Sequence, residues 1–228
     1  MTTPLLQLSR NVRILVAALL GYVGFLFCLA ATFDDVTFRG LFSEEGFFEE
    51  CSIIAWMIAA VVVLRRAWQS CGIDKASYLA HAVLFLLCAM READWHKKFT
   101  ADGILKIKYY TRSAAALSEK IPAALISLLF ITLVIHALVR CFRYAKIKPH
   151  LSLESTWLMM TGISLFFVGK ILDRSISVLT ETFGVTVSPF VGKIIAAQEE
   201  GLEMVGPLFI ALAFFWPANV LVRTKAST

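Results

Sequence analysis

Residues 79–98 have the sequence LAHAVLFLLCAMREADWHKK and decide the class of protein to which this chain belongs. An apolar run ends directly in Arg91-Glu92-Ala93-Asp94-Trp95-His96-Lys97-Lys98, which places six ionisable side chains in eight residues. Apolar runs of about 20 residues match the ~30 Å hydrocarbon core of a bilayer. The stretch therefore predicts a transmembrane helix that ends in a charged cluster at a membrane boundary.

The composition extends this interpretation to the whole chain of 228 residues. The chain is 58% hydrophobic with a mean hydropathy of +0.74, and 17% of its residues are charged, compared with roughly a quarter in soluble domains. We expect an all-α, polytopic integral membrane protein that forms a single transmembrane domain over residues 1–228. The basic residues flank apolar segments instead of forming one basic face, so nucleic-acid binding is not expected despite the net charge of +5.

Six apolar segments are long enough to cross a membrane. They cover residues 14–33, 47–64, 77–95, 121–139, 153–172 and 201–222, and a short acidic loop follows the first. The segment 97–120 mixes basic residues with tyrosines and aliphatic residues, which predicts an amphipathic segment lying in the membrane interface. Residues 174–198 are expected to form a half-helix followed by a turn.

Six spans place both chain termini on one side of the membrane. That side carries 11 of the 22 Lys and Arg residues but only 2 of the 17 acidic residues. Six of the 11 basic residues on the opposite side lie in the single segment 97–120, so the positive-inside rule favours cytoplasmic termini. We therefore expect a protein of the bacterial inner (plasma) membrane with both termini in the cytoplasm.

Alternation of the spans brings the charged ends of the second, third, fifth and sixth helices to the outer boundary. Residues three or four apart share a helix face, as Glu92 and His96 would, so that a carboxylate and an imidazole point at a common atom. The predicted site consists of Glu92, His96 and Glu200 as catalytic residues, Arg91, Arg174 and Lys170 as ligands of an anionic substrate, and Glu49, Glu92, His96, Asp173, Glu200 and Glu203 as metal ligands. Mg²⁺, Mn²⁺, Ca²⁺ and Zn²⁺ are the divalent metals that suit these donors, and Arg and Lys bind phosphate or carboxylate.

Three functions are compatible with this site. The first is a metal-dependent hydrolase or transferase that acts on a lipid or a lipid-linked anionic substrate, with membrane lipids as its partners. The second is an ion-coupled transporter, which would need carboxylates deeper than the boundary. The third is a non-catalytic membrane subunit whose charges dock a partner protein or a second copy. The structural alternative is that charged helix ends simply reach water or neutralise one another.

The remaining motifs leave the reaction open. The pairs Glu49-Glu50 and Glu199-Glu200 lack the arginine of the Glu-Glu-x-x-x-Arg motif that marks CAAX-type intramembrane proteases. The spacing of the five cysteines indicates neither a redox motif nor a zinc site. His81 and His136, near the cytoplasmic ends of the third and fourth spans, are expected to make a polar packing contact, with haem ligation as the alternative.

Overall fold

The computed structural model describes residues 10–43, 45–100, 103–105, 107–112, 115–147 and 153–215, and all regular structure among them is helical. The α-helices in these ranges are α1 Arg10–Thr32, α2 Asp35–Phe42, α3 Phe47–Trp68, α4 Gly72–Glu92, α5 Ile107–Arg112, α6 Leu117–Ile147, α7 Leu153–Ser177 and α8 Pro189–Phe215. A 3₁₀ turn, Trp95–Lys98, follows α4, and a π-helical turn, Val178–Thr182, continues α7. The all-α prediction is confirmed for the described residues.

Five described segments are long and apolar enough to cross a membrane. They are Arg13–Thr32, Asp35–Trp68, Gly72–Glu92, Leu117–Arg143 and Ser155–Thr182. These segments coincide with the first five predicted spans, and the second of them includes α2 as well as α3. The sixth predicted span overlaps α8, but α8 is not one of the five, and residues 216–222 lie outside the described residues. The helices thus support a membrane protein, whereas the count of six spans stays a prediction.

The chain divides into two compact units. The first unit comprises Met1–Ser52 and Ser152–Thr228 and contains α1, α2, the beginning of α3, α7 and α8. The second unit comprises Ile53–Leu151 and contains the rest of α3 together with α4, α5 and α6. That the whole chain forms one transmembrane domain stays a prediction.

In the first unit, α8 packs along α7 and also contacts α1 and α2. The helices α7 and α8 are antiparallel, since the Ser155 hydroxyl near the start of α7 donates to the carbonyl of Ala213 near the end of α8 over 2.9 Å. Gly162 and Gly206 bring the two backbones together, and a Cβ built at Gly162 would lie 2.7 Å from the Gly206 carbonyl oxygen. Small residues permit this close helix packing in membranes, where apolar burial drives association only weakly.

A cluster of aromatic rings fixes α2 against the first unit. The rings of Phe42 and Phe48 stack with their centroids 4.5 Å apart, and Phe38 lies 5.0 Å from Phe42. The buried residues Leu26, Ala30 and Ala197 complete the cluster. The apolar side of α2 is therefore covered by α1, α3 and α8.

The predicted acidic loop after α1 contains this short helix because Asp34 caps it. The Asp34 carboxylate accepts hydrogen bonds from the backbone N–H groups of Val36 and Thr37, at 3.1 and 3.4 Å. Such a cap satisfies donors that have no partner inside the helix. The Thr37 hydroxyl and these amides hold the pKa of the Asp34 carboxyl below its ordinary range.

The last helix, α8, begins at Pro189 and not near residue 201 as predicted. The hydroxyl of Ser188 accepts a hydrogen bond from the N–H of Val191 over 3.4 Å. Proline suits the first position of a helix, where its missing N–H costs no hydrogen bond. Ser188 and Pro189 thus start a helix in the region expected to hold a turn.

The preceding helix also extends further than predicted. α7 continues to Ser177 and through the π-helical turn to Thr182. Gly184, with a φ of +65°, lies in the connection to α8. The half-helix and turn expected over 174–198 are therefore the ends of two long helices and a short loop between them.

In the second unit, α4 and α6 pack through polar side chains. Arg140 pairs with Asp74 at 2.8 Å, and the Ser77 hydroxyl lies 3.1 Å from His136 Nε2. The ring centroids of His81 and His136 are 5.7 Å apart, and His81 Nδ1 donates to the Ser77 carbonyl over 2.6 Å. The two histidines are neighbours, and their hydrogen bonds to Ser77 support the expected polar packing contact.

Part of the predicted interfacial segment folds onto the start of α6. The buried Tyr109 donates its hydroxyl hydrogen to the Glu119 carboxylate over 2.7 Å. Tyr110 donates to the carbonyl of Ile104 over 2.6 Å. These contacts attach α5 to the protein, and the position of the segment in a membrane interface stays a prediction.

Candidate functional site

A buried ion pair joins α7 to α8. Lys170 Nζ lies 2.6 Å from Glu203 Oε1, and 29% of the Lys170 side chain and 6% of the Glu203 side chain are exposed. The two atoms form an ion pair, but their geometry is not that of a hydrogen bond to Glu203 Oε1. The structure thus brings together a predicted anion ligand, Lys170, and a predicted metal ligand, Glu203. An ionised group buried to this extent needs an opposite charge beside it.

Gly169 makes room for this pair. A Cβ built at Gly169 would lie 2.9 Å from Glu203 Cγ and 3.5 Å from the backbone oxygen of Glu199. The missing side chain therefore lets α8 approach α7 closely enough for Glu203 to reach Lys170, the next residue along α7.

The backbone carbonyl of Glu203 has a partner of its own. Pro207 lies inside α8 four residues after Glu203 and has no N–H to donate to that carbonyl. Ser52, a buried residue of α3, donates its hydroxyl hydrogen to the carbonyl instead, over 3.4 Å. The charge of Glu203 is therefore compensated by α7, and its carbonyl accepts a hydrogen bond from α3.

Contact with α1 indicates how deep Glu203 lies. The hydroxyl of Tyr22 donates to the carbonyl of Gly201 over 3.1 Å. Tyr22 is at the centre of the segment Arg13–Thr32, about 14 Å from either end at 1.5 Å per residue. Glu203, two residues beyond Gly201, therefore lies near the middle of α1, further from the helix ends than the boundary position expected from the sequence.

Polar residues continue along α7 from Lys170 toward the loop that leads to α8. Arg174, Ser177 and Glu181 follow at intervals of four, three and four residues and so share a face with Lys170. All three are exposed, including 76% of the Arg174 side chain. We call these four residues the polar stripe. In the other direction the same face carries Phe166, so polar residues reach Lys170 from only one end of α7.

The other predicted residues of the first unit are placed separately. Arg174 Nε lies 3.6 Å from the adjacent Asp173 carboxylate, and exposed pairs of this kind contribute little stability. Glu49 accepts a hydrogen bond from the backbone N–H of Glu45, and Glu200 is half-buried on α8. No group of three or more His, Cys, Asp or Glu side chains in the described part of the chain is arranged to hold a metal ion. The metal-ligand set stays a prediction.

In the second unit, Arg91 and Glu92 pair with each other at 3.3 Å, and Glu92 is largely buried. The spacing of Glu92 and His96 is not that of one continuous helix. α4 ends at Glu92, and Asp94 adopts a φ of +48° before the 3₁₀ turn that contains His96. The shared helix face inferred for Glu92 and His96 is therefore wrong. The side chain of His96 lies outside the described part of the structure, and the site predicted across four helices stays a prediction.

Sequence reasoning missed the residues that surround the Lys170–Glu203 pair. Gly169 had a detectable signal, because it lies seven residues after Gly162 and both fall on one face of α7. Pro207 indicated a kink but not which carbonyl it frees. Ser52 and Tyr22 had no local signal, since their partners lie 151 and 179 residues away in the chain.

The chain matches no family model, no curated protein and no solved structure in the comparisons made. No relative therefore indicates a substrate or a reaction. Its function has to be inferred from the chemistry of the described residues.

Proposed function

We propose that this chain is an ion-coupled membrane transporter in which Glu203 and Lys170 form the coupling site. The observation that carries the proposal is the position of the pair, which lies near mid-length of α1 and not at the helix ends. Ionisable residues inside spanning segments are costly and commonly mark ion pathways or proton relays. Of the three functions compatible with the sequence, the transporter is the one that requires a carboxylate at such a depth.

Glu203 can be ionised or protonated, and the two states differ in what compensates the charge of Lys170. An ionised Glu203 is compensated by Lys170, whereas a protonated Glu203 leaves the ammonium of Lys170 available to another group. Charges interact strongly where water is scarce, so the protonation of Glu203 is linked to what Lys170 contacts. A linkage of this kind is what couples the movement of a proton to that of a second species.

A missing backbone hydrogen bond in α8 supports the same proposal. Transporter sites commonly lie where a helix is interrupted and its freed backbone groups are satisfied in another way. Pro207 interrupts the hydrogen bonding of α8 at the carbonyl of Glu203, and Ser52 supplies the replacement donor. The missing backbone hydrogen bond and the ionisable side chain thus belong to the same residue.

The other two functions remain predictions. The hydrolase or transferase needs a metal site or a catalytic pair, and the described residues provide neither the metal-ligand set nor the shared face of Glu92 and His96. The docking subunit needs a partner, and no described feature selects one. The transporter is the function that the geometry of the described residues supports.

Proton flux into vesicles tests the proposal. The purified chain is reconstituted into lipid vesicles that hold a pH-sensitive dye, and a deproteinised small-molecule extract of the expressing cells is added on both sides of the membrane, so that natural substrates are present for transport in either direction. An inward proton gradient is then imposed. We expect faster acidification than in empty vesicles, and Glu203→Gln should reduce the rate to that of empty vesicles. Glu50→Gln, which changes an exposed carboxylate at the start of α3, is the matched control. Equal rates for Glu203→Gln and the wild type would show the proposal to be wrong.

A further inference from the structure

We propose that Lys170 exchanges partners during the coupling reaction: an anionic group, a carboxylate or a phosphate, binds Lys170 and Arg174 while Glu203 takes up a proton. This inference depends on the proposed transporter function and adds the class of substrate and the sign of the coupling. The transported or bound group is an anion, and the proton moves with it.

The exchange conserves charge at the buried site. In the resting state the Lys170 ammonium and the Glu203 carboxylate neutralise each other at 2.6 Å. Binding of an anion alone would leave Glu203 ionised without a partner, and protonation alone would leave Lys170 in the same condition. When both occur, the contact between the two residues breaks, a proton from solution forms an O–H bond with the carboxylate, and the ammonium contacts the anion. Because an unpartnered buried charge is strongly unfavourable, the two events occur together.

Arg174 completes the anion site. It lies one turn from Lys170 on the polar stripe, is 76% exposed, and is 3.6 Å from its adjacent partner Asp173, which is too long for a hydrogen bond. An ammonium and a guanidinium one turn apart can each contact an oxygen of one carboxylate or phosphate. The distance from Asp173 leaves the guanidinium free to turn toward such a group.

The charges around the pair determine which group takes up the proton. Titratable residues close in sequence to the pair or to its contacts Tyr22 and Ser52 include Tyr22 on α1, Glu49 and Cys51 on α3, Asp173 and Arg174 on α7, and Glu199 and Glu200 on α8. Among the others on these helices, Lys193 is paired with Asp35 and Glu50 is exposed. Apart from Arg174, the charged members of the first set are carboxylates, so a bound anion adds to a negative field and favours protonation of one of them. Glu203 is the most buried of these carboxylates and would lose its partner directly.

Access to Lys170 is from one end of α7. The polar stripe leads from Glu181 to Lys170, whereas Phe166 and the close crossing of Gly162 and Gly206 follow on the other side. An anion that travels along the stripe meets Arg174 before Lys170. The anion therefore reaches the pair from the loop between α7 and α8.

Sulfate is a suitable probe because it has the tetrahedral oxygens of phosphate and does not buffer near neutral pH. The full chain is placed in phosphatidylcholine nanodiscs in unbuffered solution with a pH dye, and sulfate binding is measured in parallel by calorimetry. We expect wild-type protein to take up protons in proportion to bound sulfate. Glu203→Gln should bind sulfate without proton uptake, and Lys170→Gln should lose both responses. Arg39→Gln and Glu50→Gln, which change exposed side chains that are not part of the pair, should behave as the wild type.

Two further variants and a second lipid complete the test. Lys170→Arg keeps the positive charge and should restore proton uptake, whereas the double variant Lys170→Gln/Glu203→Gln removes both charges and should fold but not respond. Nanodiscs that also contain phosphatidylglycerol separate a lipid headgroup from a free anion. If the anionic headgroup of phosphatidylglycerol occupies Lys170, the response to sulfate is lost in these nanodiscs. If a free anion is the ligand, the response is the same in both.

Three outcomes would overturn the exchange. They are sulfate binding by the wild type without proton uptake, the absence of any Lys170-dependent response in both kinds of nanodisc, and equal proton uptake by the wild type and Glu203→Gln. Glu203-dependent proton flux into vesicles without sulfate-linked uptake in nanodiscs overturns the exchange and leaves the transporter. Uptake in nanodiscs without flux into vesicles keeps the exchange as a binding reaction and shows the transporter to be wrong.

Discussion

Glu203 is held at two points, its carboxylate by Lys170 and its carbonyl by Ser52. The two contacts come from different helices and differ in kind. The ion pair compensates a charge, whereas the hydroxyl replaces the hydrogen bond that Pro207 removes from α8. A change at Lys170 should therefore affect the charge balance of the site, and a change at Ser52 should affect only the backbone of α8.

The free energy of unfolding of charge variants tests the pair. Lys170→Gln or Glu203→Gln alone should destabilise the protein by about 3 kcal/mol, the low end for a broken buried pair because Lys170 is partly exposed. The double variant should lose less than the sum of the two single variants, since it leaves no unpartnered charge. Unfolding with sodium dodecyl sulfate in mixed micelles measures these differences. Additive losses would show that the two charges do not interact.

The sequence predicted which residues of the candidate site are charged better than it predicted where they lie. Lys170 and Glu203 were predicted as site residues because charged side chains next to apolar runs are conspicuous. Their depth could not be predicted, because it depends on the register of α8 against α1, set by Tyr22 and Gly201. The failure at Glu92 and His96 has a local cause: α4 ends before Asp94, and a spacing of four places residues on one face only in an unbroken helix.

The helices α7 and α8 cross at glycine residues, so neither backbone carries a side chain at the point of contact. Gly162 meets the carbonyl of Gly206, and neither residue has a side chain that can move aside. Backbone contacts of this kind tolerate an added methyl group poorly, because the whole helix has to shift. The close packing of this pair therefore depends on two glycines that lie about five turns from the loop that connects the helices.

Alanine substitutions distinguish packing glycines from free ones. Gly162→Ala should destabilise the protein by about 1–3 kcal/mol, as overpacking commonly does. Gly192→Ala is the matched control, because a Cβ there meets nothing within 4 Å, and it should leave stability unchanged or raise it by up to about 1 kcal/mol through helix propensity. Thermal unfolding in detergent compares the two variants. Equal melting temperatures would argue against the tight crossing.

The cap of α2 makes a prediction about pH. The lowered pKa of Asp34 means that the cap contributes stability above the ordinary carboxyl pKa of 3.8 and loses it as pH falls through the lowered value. Thr37→Val removes the hydroxyl that lowers this pKa most and should move it toward 3.8. The ¹³C shift of the labelled Asp34 carboxyl, titrated in micelles, gives the value.

The control for this titration is Thr32→Val. The Thr32 hydroxyl bonds to the carbonyl of Cys28 at 2.7 Å and not to Asp34, so its loss should leave the Asp34 pKa unchanged. An Asp34 pKa of 3.8 or above in the wild type would contradict the cap.

Elements were predictable where their residues are uniformly apolar and less so where they are mixed. The predicted spans lie within or near the observed helices α1, α3, α4, α6 and α7. The first part of α8 was missed because Gly184, Pro189 and Gly192 are typical of a turn, whereas Pro189 starts the helix. In the structure Lys193 pairs with Asp35 and lies over the ring of Phe38, so α2 compensates a charge that the sequence presents as free.

At the scale of the whole molecule, the alternation of helices determines which connections share a side of the membrane. The turn between α3 and α4 carries Cys71, and the loop between α7 and α8 carries Thr186; both residues are exposed. With cytoplasmic termini, Cys71 lies on the cytoplasmic side and Thr186 on the outer side. The anion path along the polar stripe would then open outward.

Cysteine labelling tests this orientation. The background carries alanine in place of Cys28, Cys51, Cys88 and Cys141, with either native Cys71 alone or Thr186→Cys in a chain that also lacks Cys71. An impermeant maleimide added to spheroplasts should label Thr186→Cys at once and Cys71 only after the membrane is opened. Labelling of both positions from the same side would show that the number of spans between them is even, contrary to the prediction.

The composition is sufficient to predict a helical membrane protein, whereas the candidate site depends on contacts between residues that are far apart in the chain. The apolar fraction and the lengths of the runs predicted a helical membrane protein because a bilayer sets both quantities. The partners of Glu203, by contrast, come from α3 and α7, and no local pattern states which helix will lie beside which. That information appears only when residues such as Gly169 and Ser52 are placed in space.

The ion pair also bears on how the chain enters a bilayer during synthesis. α7 is apolar enough to insert although it contains Lys170, whereas α8 carries Lys193, Glu199, Glu200 and Glu203 and is not among the segments that qualify alone. A glutamate at the centre of a helix opposes release from the translocon into lipid by about 2.5–3.5 kcal/mol on insertion scales. Because α7 is synthesised before α8, Lys170 can pair with Glu203 before either side chain contacts lipid. The two helices would therefore leave the translocon as one hairpin. If synthesis stopped after α7, the ammonium of Lys170 would have no Glu203 carboxylate beside it.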